Sequence, residues 1–330
     1  MELKEQQKKL LKLLATNARY KNKDIAKILR LSEDSIAYNK DEMFKKKLFT
    51  YSIFFDYRKL GYHSKHYFIS LKNYKKTEFE KISKIKNVSF INTYLGKYKA
   101  QIIFLHKDEK EYEEILTNIR SLLKDNIVEE LILDYQTEIK LSHILPSFDV
   151  KTSFPKNKKD KFYALTTGQF VPEKWETGYK VDKKDLILIK ELLENPTLNL
   201  SELSTKTRLS RDTIRKKITQ FIDDKFLLHI GIFPNIKAFG YFSYGLLMNV
   251  KEIDKKATRN FVHSHNYVFY LEFTQTEKKL LLYIWAKTPT EFSKYYKEIE
   301  DFFSPHIESI ELLFFDDLLF QFEFPNSLLK

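Results

Sequence analysis

The chain has 330 residues, 43% of them hydrophobic, with 28 Phe, 20 Tyr and no Cys. This apolar content is enough for several buried cores and excludes a disordered basic tail. The lack of Cys excludes disulfides, thiolate zinc sites and cysteine nucleophiles. The formal net charge of +12 is unevenly placed: residues 1–76 hold 19 Lys or Arg against 8 Asp or Glu, whereas residues 77–145 hold 10 against 12.

In chain order, the first helical stripe is Leu10, Leu11 and Leu14, followed by a short helix carrying Ile25 and Ile28. Ser32 then caps a third helix with Ile36 and Met43 inward. Two short helices joined by a tight turn, the second capped by Ser, form the layout of a helix-turn-helix. The apolar stretch 48–55 is expected as a small β-wing or connecting strand. Beyond it the pattern predicts strand 66–71, helix 76–85, strands 88–94 and 98–106, helix 110–123 and strand 127–135. That β-α-β-β-α-β order describes a ferredoxin-like sandwich.

No Pro precedes Pro146, after which Pro146, Pro155, Gly168, Pro172 and Gly178 crowd together. Residues 146–178 therefore read as a connector, strapped to a folded surface by Phe162, Tyr163, Phe170 and Trp175. The pattern then starts again. Leu186, Ile189, Leu192 and Leu193 form a stripe ending near Asn195-Pro196, a short helix spans 201–207, and Ser210 caps a helix with Ile214, Ile218 and Phe221 inward. The apolar stretch 227–233 is likewise expected as a small β-wing or connecting strand. The last segment predicts strand 242–250, helix 254–263, strands 267–273 and 279–286, helix 290–303 and strand 307–315.

Short motifs recur at a nearly fixed offset. Leu31-Ser32 returns as Leu209-Ser210, Leu60-Gly61-Tyr62 as Phe239-Gly240-Tyr241, and Glu111-Tyr112 as Glu291-Phe292, offsets of 178 to 180. The expected fold class is thus α+β, with two tandem copies of a winged helix-turn-helix plus a ferredoxin-like domain. The boundaries read as 1–60, 61–145, connector 146–178, 179–239 and 240–330. The charge repeats as well, since residues 179–255 hold 14 basic against 10 acidic and residues 256–330 hold 8 against 11. Two basic fronts point to a polyanionic partner.

In this order the motifs Asn17-Ala18-Arg19, Asp24-Ile25-Ala26, LSEDSIAYNK at 31–40, the Gly96-Lys97-Tyr98 turn, Ser201-Glu202-Leu203 and LSRDTIRKKI at 209–218 resemble the leucine-responsive regulatory protein and asparagine-synthetase regulator (Lrp/AsnC) family. The resemblance covers nearly the whole chain apart from the connector. It implies a transcription regulator that binds double-stranded DNA as a dimer, here an internal pseudo-dimer with homodimerisation as a further step. It also implies a small-molecule effector such as an amino acid, with Gly96 and Tyr98 as the ligand-binding candidates.

At 100° per residue, burying Ile214, Ile218 and Phe221 turns Thr213, Arg215, Lys216, Thr219 and Gln220 outward, with Arg211 and Lys217 at the flanks. Arg can bond a guanine edge, Gln an adenine edge and Lys a phosphate. The first-copy equivalents include Ser35, Tyr38 and Asn39 beside Asp41 and Glu42, whose carboxylates would repel phosphate. Lys45, Lys46 and Lys47 supply basic contacts there instead.

No catalytic residues, metal site or cofactor are expected, and the chain reads as a non-enzyme. His63-x-x-His66 and His263-x-His265 lack the further ligands a metal needs. The longest uncharged run, 238–250, falls short of the roughly 18 apolar residues of a membrane span, so a cytoplasmic protein without membrane contact is expected. Two rival readings stay open. Siroheme decarboxylases resemble the same two-domain architecture, although the sequence displays no clustered His and Arg set for a tetrapyrrole. A protein-interaction module that has lost DNA reading is the other.

Overall fold

The structure, a computed structural model, describes residues 3–155, 177–274, 278–322 and 324–329. The expected strapping by Phe162, Tyr163, Phe170 and Trp175 lies outside the described residues. Two series of elements run in the same order. The first comprises α1 (Glu5–Thr16), α2 (Asn22–Leu29), α3 (Glu33–Lys45), β1 (Phe49–Phe55), β2 (His63–Leu71), α4 (Lys76–Ile82), β3 (Val88–Leu95), β4 (Ala100–His106), α5 (Glu109–Leu123) and β5 (Ile127–Leu141). The second comprises α6 (Lys183–Glu194), α7 (Leu200–Thr207), α8 (Arg211–Asp223), β6 (Leu227–Pro234), β7 (Phe242–Val250), α9 (Lys255–Ser264), β8 (Val268–Thr274), β9 (Lys279–Ala286), α10 (Pro289–Phe303) and β10 (Ile307–Gln321).

Local chemistry sets the helix boundaries. Ser32 and Ser210 accept the backbone N–H groups of Ser35 and Thr213, satisfying donors that the first turn leaves open. Asn199 and Glu202 close a reciprocal capping box at the start of α7. Both α2 and α7 end on an arginine in the left-handed region, Arg30 at φ 54° and Arg208 at φ 58°.

The stretches at 48–55 and 227–233 do not fold back as wings within their own halves. β1 and β6 pair antiparallel with each other, Ile53 opposite Ile230. This corrects the wing alternative, while each stretch does form a strand connecting its helices to the barrel. Ile53 and Phe55 share one buried core with Leu11, Leu188, Ile230, Ile232 and Phe221, so the ribbon joins two sets of three helices that neither strand could cover alone. Arg19 adds a polar tie, its Nε donating to the Pro196 carbonyl at 2.8 Å.

Each remaining half places its strands in ferredoxin order, β3-β4-β2-β5 and β8-β9-β7-β10. The two sheets then join at both edges into a closed eight-stranded barrel. Closure explains why β5 and β10 outrun their expected ends at 135 and 315. Residues 135–141 pair with β8, and residues 314–321 pair with β3. A barrel of eight strands leaves interior room for side chains or one small ligand. Phe68, Tyr94, Leu133, Leu247, Leu281, Tyr283 and Leu313 fill part of it. Helices α4 and α5 cover the first sheet's outer face and α9 and α10 the second's. No helix among the described residues is long and apolar enough to cross a membrane.

Candidate functional site

A cavity of about 910 Å³ lies where the β1–β6 ribbon and the end of α3 meet the barrel. Both halves line it: His66 and Gln101 come from β2 and β4, Glu272, Tyr283 and Trp285 from β8 and β9, and His143 from the segment after β5. Lys45, Lys47 and Lys237 are its basic lining residues, and all three are exposed. Its size is at the upper end of small-molecule sites, which combine apolar walls with a few convergent polar groups. Phe269 and Trp285 stack at 4.2 Å to give such a wall.

The polar groups form a connected set. Gln101 Oε1 accepts from the Tyr94 hydroxyl (2.7 Å), Asn92 Nδ2 (3.0 Å) and the Tyr283 hydroxyl (3.3 Å). The hydroxyls of Tyr94 and Tyr283 also bond each other. Gln101 Nε2 meets His66 Nδ1 at 3.1 Å, and His66 Nε2 stands 3.8 Å from the Glu272 carboxylate, which accepts from the Tyr270 hydroxyl. Burial pushes His66 down to about 3, so it is neutral at ordinary pH, and pushes Tyr94 well above the usual phenol range.

His143 is buried against Phe54, Phe233 and His229. Among the described residues its Nε2 has no hydrogen-bond partner. Burial, and secondarily His229, hold its pKa well below the usual imidazole value. A buried nitrogen without a partner costs free energy, and His143 is one of the residues that line the cavity.

The expected DNA-reading residues lie elsewhere. On α8, Ile214, Ile218 and Phe221 are buried, Arg211, Arg215, Lys216 and Gln220 are exposed, and Thr213 and Thr219 are half-buried. Lys217 turns back onto Asp182 (3.0 Å) and Asp185 (2.6 Å) at the start of α6. On α3, Tyr38 is 65% exposed, while the half-buried Asn39 donates to the Ser35 carbonyl. Lys45 pairs with Asp41 and Lys46 with Glu42, one turn apart. Lys45 and Lys47 thus belong to the cavity's lining as well as to the helix end. Gly96 sits exposed in the β3–β4 turn at φ 127°, and Tyr98 is buried with its ring 5.6 Å from Phe68.

The sequence separates what the barrel gathers. His66 and His143 are far apart in the chain and share a motif with neither Gln101 nor Glu272. His63 lies beside His106, at 5.7 Å between rings, while His66 faces the cavity. Among the described residues no three His, Cys, Asp or Glu side chains are grouped to hold a metal ion. The legible signal was a polar side chain inside an apolar strand, above all Gln101 between Ala100 and Ile102.

No family model and no curated protein matches this sequence. Among solved structures the fold resembles the siroheme decarboxylase NirDL over 97% of this chain and 94% of that one, at a TM-score of 0.53 and 13% identity. The same enzyme in co-complex with an iron-uroporphyrin III analogue matches at 0.53 and 12% over the same shares. LrpC of B. subtilis matches 42% of this chain and 98% of its own, at 0.36 and 18%. These likenesses are of fold. The full-length ones nevertheless correct the expectation of a non-enzyme, because the architecture spanning this whole chain is one that an enzyme carries.

Proposed function

We propose that the chain is an enzyme of the siroheme-decarboxylase type, acting on a polycarboxylate tetrapyrrole held in the barrel cavity. The carrying observation is the cavity itself, lined from both halves by the buried His66, Gln101, His143 and Glu272. A flat ring suits the Phe269–Trp285 wall, and its carboxylates suit Lys45, Lys47 and Lys237. No arginine lines the cavity among the described residues, so lysines alone supply the cationic contacts. We take the two element series as copies of one module with the boundaries read from the sequence, the cavity falling between them.

Decarboxylation breaks the carbon–carbon bond to a carboxylate, releases CO2 and leaves an electron pair on carbon that one proton must quench. A carboxylate entering beside the neutral His66 would accept its ring N–H and be held there, while water supplies the proton that quenches the carbon. The test is anaerobic titration with siroheme or iron-uroporphyrin III. Saturable change in the visible absorbance with release of CO2 is expected, and neither occurring would overturn the proposal.

A second reading rests on α8, whose Arg211, Arg215 and Lys216 are exposed together on one face. These side chains suit contact with double-stranded DNA. Retention of genomic fragments in a gel shift at low salt, lost on Arg215→Ala with Lys216→Ala, would support it; unchanged retention would remove it.

A further inference from the structure

We infer that Gln101 is a positioning residue that holds His66 in the tautomer protonated at Nε2, making that nitrogen a hydrogen-bond donor toward Glu272 and the cavity. A glutamine side chain has one accepting and one donating end. Its Oε1 is occupied by Tyr94, Asn92 and Tyr283, which leaves Nε2 for His66 Nδ1 at 3.1 Å. An N–H directed at a ring nitrogen requires the lone pair there, so the proton of the neutral imidazole sits on Nε2. That atom lies 3.8 Å from the Glu272 carboxylate, an acceptor on the far side of the ring.

The arrangement is assembled once. His66 and Gln101 belong to β2 and β4, with His66 opposite Ile103 and Gln101 opposite Phe68. At the matching register of β7 and β9 stand Gly245, opposite Tyr283, and Leu281, opposite Leu247. Burying polar groups is costly unless they bond one another, and the chain does so on one side of the barrel, with Tyr283 and Glu272 of the other half completing the set.

For the site's chemistry, which rests on the proposed function, a ligand atom reaching His66 Nε2 meets a donor. The group that fits is an acceptor such as a carboxylate oxygen, whereas a metal ion needs a bare nitrogen lone pair. His66 is thereby a carboxylate-recognising group and not an iron ligand.

The experiment is long-range 1H–15N correlation on histidine-labelled, ligand-free protein at neutral pH, with His66 assigned from the signals lost in His66→Gln. A pyridine-type Nδ1 and a pyrrole-type Nε2 are expected in the unaltered chain. In Gln101→Glu the new carboxylate can only accept, so Nδ1 moves to a pyrrole-type shift while the other histidines keep theirs. A protonated Nδ1 in the unaltered protein, or unchanged His66 signals in folded Gln101→Glu, would overturn the inference. If that variant does not fold, the unaltered protein still decides. Tetrapyrrole titration is a separate readout, so the enzyme reading can fail while the tautomer assignment stands, and the reverse.

Discussion

Gly245 lies directly beneath the Tyr283 ring: a Cβ at position 245 would stand 2.7 Å from Tyr283 Cε1 and 3.1 Å from the Leu313 Cβ. The bare backbone of β7 lets the Tyr283 hydroxyl reach Gln101 and Tyr94. Gly245→Ala is expected to cost about 1 to 3 kcal/mol by overpacking, read from denaturant melts. Combining it with Tyr283→Leu should cost less than the two single losses added, because the smaller ring position removes the clash. Strict additivity would mean that the glycine serves something other than the tyrosine.

The helices and most strands were legible because each buries one face at a regular period. Leu10, Leu11 and Leu14, or Ile214, Ile218 and Phe221, announce a helix wherever they pack. Pairing between halves was not legible. The β1–β6 ribbon joins strands that each look like a wing, since hydrophobic alternation says that a strand is half-buried and not which strand lies beside it. The extensions of β5 and β10 were hidden for a related reason: Asp134, Asp316 and Asp317 interrupt the apolar pattern where the strands leave their own sheet for the partner sheet. The cavity inherits this limit in part: His66 and Gln101 meet within their own sheet, whereas Glu272 and Tyr283 reach them only through barrel closure.

Lys140 near the end of β5 donates its ammonium to the carbonyls of Val262 (2.6 Å) and His265 (2.9 Å), closing the C-terminal end of α9 from the other half. Burial lowers its pKa to about 8, against about 10.4 in an unfolded chain. Between those values the unfolded state binds more protons, so this group makes stability rise with pH across the window and contributes no slope below it. Comparing urea melts at pH 7.5 and 10, the unaltered chain should gain roughly 2 to 3 kcal/mol relative to Lys140→Met. An equal response from both proteins would mean that Lys140 keeps its ordinary affinity for a proton.

Acid acts through the histidines between ribbon and barrel. Burial pushes His229 down to about 4 and His66 to about 3. Both are depressed below the unfolded value of about 6.5, so their contribution is complete above pH 6.5 and is lost as the unfolded chain takes up protons on acidification. Urea midpoints should therefore fall from pH 7 to pH 5. His229→Leu should flatten that fall by up to about 1.4 kcal/mol per pH unit. An undiminished slope would assign the acid sensitivity to other groups.

Lys47, on the cavity's lining, and Arg211, on α8, separate the two functional readings. Reversing an exposed charge replaces an attraction of about 0.2 to 1 kcal/mol with a comparable repulsion, roughly a two- to thirtyfold change in Kd at low salt. Lys47→Glu is expected to weaken iron-uroporphyrin III binding by that factor and leave DNA retention unchanged. Arg211→Glu should do the opposite, and both effects should shrink as salt rises. The cavity can be a ligand site whether or not α8 touches DNA, so the two titrations are run on the same preparations. If Lys47→Glu lowered DNA retention and spared tetrapyrrole binding, the lysines at the end of α3 would belong to the nucleic-acid face and the cavity would lose a principal source of attraction for carboxylates.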